Sequence, residues 1–399
     1  MLTKFAMLET VTVKPEMIRW AIDRSQLAAE DLEAEFPKLD EWKSGEAMPT
    51  MRQLERFAQK TMTPLGYLFL GAPPDERLPI PDFRTAGDRP VSRPSPNLIE
   101  TIQAMQRRQA WMREYVVENG QTPLEFVGTA RNAGNVVSLA AGIRELLGLD
   151  ADWAETHGTW EDALGTLRSA AERIGILVSS SAVVGLNNRR HLDPQEFRGF
   201  VLCDDYVPLI FVNGADSKSA RMFTLAHELA HVWLGQGGLF NLIKMMPHND
   251  ATERFCNQVA AEFLVPAHKL KEKWNEAQAT GTPFKMIARQ FKVSPVVAAR
   301  RALDLGMISK AEFFAFYEKD QEEWRRRKAE EKKKSKGGGP NFYDVQDTRL
   351  GRRFAYAVVR AAREGRLLYR DAYLLTDLKG DTFDTYASRL VQRVKDDRH

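Results

Sequence analysis

The sequence has few cysteines, no long hydrophobic run and no dominant sign of charge. Only two cysteines, Cys203 and Cys256, occur in 399 residues, which excludes the disulfide-dense scaffold of a small secreted domain. The apolar stretches, such as Val207–Val212, are far shorter than the roughly 20 residues of a membrane-spanning helix. The first residues also lack the apolar stretch and cleavage site of a secretory signal. We therefore expect a cytoplasmic protein with no membrane partner.

The nearly balanced numbers of basic and acidic residues limit the kinds of partner that the chain as a whole can bind. With 57 basic and 54 acidic side chains, the formal net charge is +3. This excludes a wholesale basic coat for nucleic acid but leaves room for a local basic patch. Hydrophobic residues make up 43% of the chain, which is ordinary for a globular protein. The length predicts about two to four domains.

Proline, glycine and charge runs divide the chain into segments. Seven of the 19 prolines fall between Pro73 and Pro96, a density that disfavours both helix and central strand. We predict a helical module, a proline-rich linker, a larger domain with its core at 160–266, a helix-turn-helix-like segment, a charged and glycine-rich hinge, and a C-terminal helical module. Their predicted bounds are, in that order, 1–72, 73–96, 97–266, 267–317, 318–340 and 341–399.

Short β-type runs lie within a mostly helical pattern. The segments 199–203 and 208–212 are rich in β-branched and aromatic residues and are bounded by turn residues. Two segments with helical periodicity follow, Asp216–Gly235 and Ala251–Leu264. The predicted fold class is therefore mostly α with a small β-sheet, an α+β core flanked by helical modules.

The strongest chemical signal is His227-Glu228-Leu-Ala-His231, an HExxH motif. Residues four apart lie one turn apart on the same helix face, so both imidazoles can reach one ion. Glu228 lies beside them and can act as general base towards a water molecule at the metal. Histidine and carboxylate ligands with one open position are typical of catalytic zinc, so we predict one Zn²⁺ per chain.

The helix after this motif is expected to supply the third metal ligand. It carries Glu253 and Glu262, which point to opposite faces at about 100° per residue, so at most one can face the metal. We prefer Glu253, because Asn257 lies one turn later on the same face, where its amide could orient a ligand histidine. Glu262 and His248, which lies in the preceding loop, are the alternatives.

Two further requirements of peptide hydrolysis are only partly met by the sequence. A substrate backbone is commonly aligned by an edge strand, and we expect Pro208–Val212, just before the HExxH helix, to be that strand. A donor is also needed for the oxyanion of the transition state. His248 and Tyr206 are candidates for that donor or for residues of the cleft.

The run FTLAHELAH at Phe223–His231 and the segment Glu253–Pro266 together resemble the ImmA/IrrE family of metallopeptidases. The resemblance extends over about residues 160–266 and implies a gluzincin-like zinc metallo-endopeptidase. It also implies a narrow protein substrate, a repressor or antitoxin cleaved in a stress, phage or toxin–antitoxin type of response. The site residues implied are His227, His231 and Glu253 as metal ligands and Glu228 as general base.

An N-terminal module often accompanies this family, and residues 13–70 resemble its Xre-like helix-turn-helix. Trp42–Thr50 (WKSGEAMPT) carries part of that resemblance, and Pro79–Arg84 (PIPDFR) matches the family's linker. Residues 1–84 contain more acidic than basic side chains, which opposes contact with phosphates. For module 1–72 we therefore favour protein docking or dimerisation over DNA binding, and we expect a homo-oligomer.

The segment 282–306 has two interpretations of equal weight. It reads as helix, turn and helix and is basic, so it could bind DNA; alternatively it covers the helices of the site. A second function also stays open for the whole chain, that of a DNA-binding regulator or antitoxin-like partner whose peptidase fold mainly docks another protein. The basic residues concerned are Lys285, Arg289, Lys292, Arg300 and Arg301.

Overall fold

A computed structural model describes residues 10–76, 78, 94–131, 134–240, 251–334 and 341–396. These residues form 17 α-helices, two 3-10 helices and four strands, so the predicted mostly helical fold with a small sheet is confirmed. Within these ranges, every helix is too short or too polar to cross a membrane. The chain divides into two compact units, one comprising Met1–Pro79 with Val91–Ile102 and the other Ile80–Pro90 with Gln103–His399.

The first unit is a cluster of short helices around an aromatic core. Its elements are α1 (Pro15–Ser25), α2 (Ala29–Glu35), α3 (Leu39–Ser44), α4 (Met51–Lys60) and a 3-10 helix (Leu65–Phe69). The rings of Phe36, Trp42 and Phe57 pack together with centroids 5.6–6.1 Å apart. Helix α3 has six residues and carries Asp40 and Glu41 in its first turn. Carboxylates at a helix N-terminus disfavour a phosphate there.

The second unit contains the sheet and the remaining helices. Its strands are β1 (Leu177–Ser181), β2 (Gly199–Leu202), β3 (Leu209–Asn213) and β4 (Gly238–Phe240). Helix α5 (Pro96–Glu118) belongs to the second unit from Gln103 onward. The other helices of this unit are α6 (Val136–Leu147), a 3-10 helix (Trp153–Thr156), α7 (Trp160–Arg173), α8 (Lys218–Leu234), α9 (Ala251–Leu264), α10 (Ala267–Ala279), α11 (Pro283–Phe291), α12 (Pro295–Asp304), α13 (Lys310–Lys334), α14 (Phe342–Leu350), α15 (Arg352–Arg363), α16 (Tyr369–Thr376) and α17 (Gly380–Asp396).

The sheet has the strand order β1-β3-β2-β4, with β1 parallel to β3 and the other neighbours antiparallel. The expectation that Pro208–Val212 forms an edge strand is therefore wrong, because β3 lies between β1 and β2. All five residues of β3 are buried, and its first four form the continuous apolar run expected of a strand covered on both faces. The outer strands of the described sheet are β1 and β4.

Helix α8 forms the centre of the second unit. Every residue from Met222 to Leu234 is buried, and the helix packs on α9 and on strands β2 and β3. The Ser217 hydroxyl accepts a hydrogen bond from the Ala220 N–H and begins the helix, as Ser does at many helix starts. Gly235 ends it with a φ of 65°. The HExxH motif thus lies in a helix that is packed on several sides.

The C-terminal helices are joined to the sheet through strand β1. The Ser179 hydroxyl donates a hydrogen bond to the Arg349 carbonyl at the end of α14. Arg108 of α5 donates to the Arg349 carbonyl at 3.1 Å and to the Leu375 carbonyl at 2.9 Å. It also pairs with Asp377 at 3.1 Å. One buried guanidinium therefore ties together two turns of the C-terminal helices.

Gly351, between α14 and α15, allows this close approach. Its φ is 76°, and a Cβ there would lie 2.7 Å from Glu172 Oε1 and 2.8 Å from the Val178 carbonyl oxygen. Gly351→Ala should therefore cost roughly 2–5 kcal/mol in the free energy of unfolding, from strain and overlap together. Gly365→Ala is the matched control, because its φ is 72° with nothing within 4 Å, so only about 1–2 kcal/mol of strain is expected. Equal costs in urea unfolding would contradict this account.

Candidate metal centre

Three side chains from α8 and α9 converge on one point. The Nε2 atoms of His227 and His231 are 3.0 Å apart. Glu253 reaches both, with Oε2 at 3.2 Å from His227 Nε2 and Oε1 at 3.1 Å from His231 Nε2. All three side chains are at most 2% exposed. Together they form a buried group that could hold a metal ion.

The spacing of these donor atoms fits a small tetrahedral cation. An ion about 2.0–2.1 Å from each atom would hold tetrahedral ligands roughly 3.3 Å apart. The separations in the structure are 3.0–3.2 Å, so only a small expansion would be needed. Two imidazoles and a carboxylate are also the donor types of catalytic zinc sites with one open position. The residues present therefore fit the ion.

The protonation of the group also suits a cation. Burial lowers the pKa of His227 to about 4, so its ring is neutral at neutral pH. Burial acts to raise the pKa of Glu253, but the two histidine rings outweigh it and keep that pKa below its usual range. The centre therefore offers a neutral His227 imidazole and an ionised Glu253 carboxylate, which are the forms that bind metal.

Asn257 fixes the orientation of one ligand ring. Its Oδ1 lies 3.1 Å from His227 Nδ1. An Nδ1–H that donates to this oxygen leaves the lone pair of Nε2 facing the other ligands. The structure therefore places Asn257 where the sequence analysis puts it, one turn after Glu253 and behind a ligand histidine.

Asn257→Ala should weaken metal binding about 10–100-fold, because His227 loses the acceptor that selects its tautomer. Asn257→Asp keeps an oxygen acceptor at this position and should stay near the wild-type affinity. Competition against a chromophoric chelator measures both constants. An alanine variant that binds metal as tightly as the wild type would show that the hydrogen bond does not orient the ring.

Glu228 lies next to the ligands but has a different environment. It is fully buried, and neither of its carboxylate oxygens has a hydrogen-bond partner among the described residues. Burial, followed by the charge of Glu253, raises the pKa of Glu228 well above its ordinary value. A buried carboxyl with raised basicity beside a metal-ligand group is the arrangement expected of a general base.

Gly199 of β2 makes room for Glu228, and the sequence analysis did not identify it. A Cβ at Gly199 would lie 3.1 Å from Glu228 Oε1, 2.9 Å from the Phe211 carbonyl oxygen and 2.5 Å from Thr224 Cγ2. A glycine that begins a strand is a signal of close backbone or side-chain approach. The sequence does not show which helix makes that approach.

Gly199→Ala should cost roughly 1–3 kcal/mol in the free energy of unfolding, because the new methyl group overlaps a packed core. It should also slow any reaction that needs Glu228 in its present position. Thr224→Ser removes the closest atom, Cγ2, and in the double variant it should restore part of the lost stability. Urea unfolding of the wild type, the two single variants and the double variant gives the coupling free energy between positions 199 and 224. Additive costs of the two substitutions would argue against the overlap.

The structure gives other contacts for two of the remaining candidates, Glu262 and Tyr206. Glu262 pairs with Arg301 and accepts from the Ala267 N–H, so it joins α9 to α12 and does not belong to the ligand group. The ring of Tyr206 lies under the Arg113 guanidinium, 4.9 Å from its carbon. His248 lies outside the described residues. The oxyanion role of Tyr206 and His248 stays a prediction.

The basic side chains of 282–306 are largely occupied within the chain. Lys285 faces Glu323 at 3.4 Å, and Arg300 pairs with Asp304 at 2.9 Å. Lys292 donates to the Arg289 carbonyl at 2.6 Å. Residues of α11 and α12 also belong to the same buried core as α8 and α9. These contacts favour the covering role, and DNA binding by this segment stays a prediction.

Comparison with known families locates two regions. Residues 171–303 match the Peptidase M78 family model, described as an IrrE N-terminal-like domain. Residues 350–389, which span most of α15–α17, match a domain of unknown function (DUF8813). The chain matches no curated protein. The first match contains the whole metal-ligand group, so residues 171–303 form a metallopeptidase-type domain with the features of the IrrE N-terminal-like family.

Proposed function

We propose that this chain is a zinc endopeptidase of narrow specificity that cleaves a regulatory protein, a repressor or an antitoxin. The observation that carries the proposal is the buried His227–His231–Glu253 group with the unpartnered carboxylate of Glu228 beside it. Its position in a peptidase-type domain agrees with this chemistry. The class of substrate comes from the family resemblance of the sequence.

The residues divide the chemical work among them. His227, His231 and Glu253 would hold the zinc ion, which when bound supplies Lewis-acid activation of water and of a peptide carbonyl. Glu228 accepts a proton from the attacking water and returns it to the departing amine. The burial that raises the pKa of Glu228 makes its carboxylate a stronger base than an exposed one. Asn257 keeps the ring of His227 in the ligand orientation.

Strand β4 is a candidate for aligning the substrate. Phe240 of β4 is the register partner of Gly199, and Gly199 adjoins Glu228. Neighbouring strands lie about 4.8 Å apart, so a peptide added along the outer side of β4 would pass near the catalytic group. This supports substrate binding by strand addition, with main-chain hydrogen bonds giving affinity and side-chain pockets giving specificity.

The proposal is tested by co-expressing the full chain with candidate repressors and antitoxins and mapping new N-termini by mass spectrometry. We expect a single new N-terminus in the substrate. In purified form, cleavage should stop after treatment with 1,10-phenanthroline and return when Zn²⁺ is added. Cleavage that continues in the metal-free protein would contradict the proposal. DNA binding by 1–72 and the homo-oligomer stay predictions.

A further inference from the structure

Helix α15 exposes a basic face that the proposed peptidase chemistry does not use. The helix has four arginines and no acidic residue. Arg352, Tyr356, Arg360 and Arg363 are all exposed. At about 100° per residue they lie within roughly 80° of arc, so they form one line along the helix. We call these four residues the arginine stripe.

The opposite face of α15 fixes the stripe in place. Phe354 and Val358 are at most 1% exposed, and Phe354 makes an edge-to-face contact with Trp111 of α5 at 5.8 Å. The helix packs on α14, α16 and α17. The stripe is thus presented by a packed helix, and its 12 residues, which are 11 steps of 1.5 Å, extend about 16 Å along the helix axis.

One exposed aromatic ring, that of Tyr356, lies among the arginines of the stripe. Tyr356 is 37% exposed. Beside the stripe, Tyr115 of α5 stacks on Trp111 at 5.4 Å, and the Arg366 guanidinium lies 5.3 Å over the Tyr115 ring. The Tyr115 ring is thus in contact with Trp111 and Arg366, and Tyr356 is the ring that the stripe itself exposes.

Only weak counter-charge opposes an anionic ligand here. Glu364 accepts from Arg360 at 2.7 Å and from Arg366 at 2.9 Å. Both arginines and the glutamate are exposed, and exposed ion pairs of this kind contribute about 0–1 kcal/mol. A phosphate can therefore compete with Glu364 for these guanidinium groups.

We infer that the arginine stripe binds single-stranded nucleic acid. Guanidinium groups suit phosphate oxygens, and an exposed aromatic ring among basic residues, here Tyr356, can stack on a base without reading sequence. The length of about 16 Å corresponds to roughly five nucleotides at a stacked spacing of 3.4 Å. An acidic peptide would use the arginines but has no use for Tyr356. The inference is independent of the metal centre and of the proposed peptidase activity.

The first test is fluorescence anisotropy of the full chain with labelled oligo(dT) and oligo(U) of about 12 nucleotides. The triple variant Arg352→Ala, Arg360→Ala, Arg363→Ala should bind at least about tenfold more weakly than the wild type. The slope of log affinity against log salt concentration should fall by about 2, from three lost phosphate contacts. The two oligonucleotides distinguish DNA from RNA as the source of the strand.

A matched control removes three positive charges from other exposed positions of the same unit: Arg189→Ala, Lys271→Ala and Lys310→Ala. This control has the same net charge as the stripe variant but keeps all four residues of the arginine stripe, so it should bind within about twofold of the wild type. Equal weakening in both triple variants would show a general charge effect and overturn the inference. Thermal unfolding of each variant checks that the fold is kept.

Two single substitutions separate nucleic acid from an acidic peptide. Tyr356→Ala should weaken oligonucleotide binding about tenfold through lost stacking, and Tyr356→Phe should not. Glu364→Gln should strengthen binding, since it frees two guanidinium groups. If Tyr356→Ala has no effect and oligoglutamate displaces the oligonucleotide from the stripe, the surface docks an acidic protein and the inference is wrong. Binding of only a duplex of about 12 base pairs would also overturn it.

Discussion

Glu228→Gln should abolish peptide cleavage and leave the metal centre loaded. Glutamine has nearly the same shape but cannot accept the proton of the attacking water, and loss of a general base typically costs 10²–10⁴ in rate. His227, His231 and Glu253 are untouched, so the metal content should stay at about one ion per chain. Elemental analysis and turnover of the identified substrate measure the two properties separately.

The matched control for this variant is Glu272→Gln, an exposed glutamate of α10. It should cleave at the wild-type rate. A Glu228→Gln protein that still turns over substrate at more than about a tenth of the wild-type rate would assign the general base to another group. Loss of metal from the Glu228→Gln protein would instead make Glu228 part of the ligand set.

The same substitution should stabilise the metal-free protein, and increasingly so as the pH rises. Because burial raises the pKa of Glu228 above its ordinary value of 4.5, the native carboxyl holds a proton that the unfolded chain releases. The stability of the wild type therefore falls as the pH rises from about 4.5 towards the native pKa. Glutamine has no proton to release in this pH range, so the stability of the variant does not fall in this way. Urea unfolding should show that the difference in the free energy of unfolding between Glu228→Gln and the wild type is larger near pH 8 than near pH 5. A difference that is the same at both pH values would contradict this prediction.

His231→Ala should remove both the metal and the activity. The chain would keep two of three ligand side chains, and a site short of one ligand loses most of its affinity. The matched control is His268→Ala, an exposed histidine of α10, which should keep about one ion per chain and full activity. Elemental analysis after dialysis, followed by the cleavage assay, checks both.

The same variant separates the peptidase from a docking role. If the peptidase fold serves only to dock a partner, the biological function should survive His231→Ala even though the metal is lost. If cleavage is the function, the metal and the function should disappear together. A cellular assay with His231→Ala beside His268→Ala therefore decides between the two without knowledge of the cleavage site.

The parts of the centre that depend on helix periodicity could be predicted from the sequence. His227 and His231 share a helix face by their spacing alone, and the opposed faces of Glu253 and Glu262 follow from the same geometry. The structure places Glu253 beside the histidines and Glu262 against Arg301. Local pattern is sufficient here because each of these choices lies within one helix.

The parts that depend on how distant segments pack could not be predicted. A buried run such as β3 has the same composition in the middle of a sheet as elsewhere, so its neighbours are set by the chain's topology. Strand β4 has only three residues, too few for a periodic pattern. The role of Gly199 depends on the contact between β2 and α8. The spacing of residues within either element does not predict that contact.

The junction between α14 and α15 affects which stretch of the chain can fold by itself. Residues 171–303 match one family model, yet β1, which belongs to that range, lies against Gly351. A Cβ added at Gly351 would lie 2.8 Å from the Val178 carbonyl oxygen. The residue that covers β1 at this point lies nearly 50 positions beyond the end of the matched region. An excised fragment of 171–303 would leave the main chain of β1 bare, and bare strands pair with those of other molecules. The domain that carries the candidate metal centre therefore depends on a distant stretch of the chain to cover one of its strands.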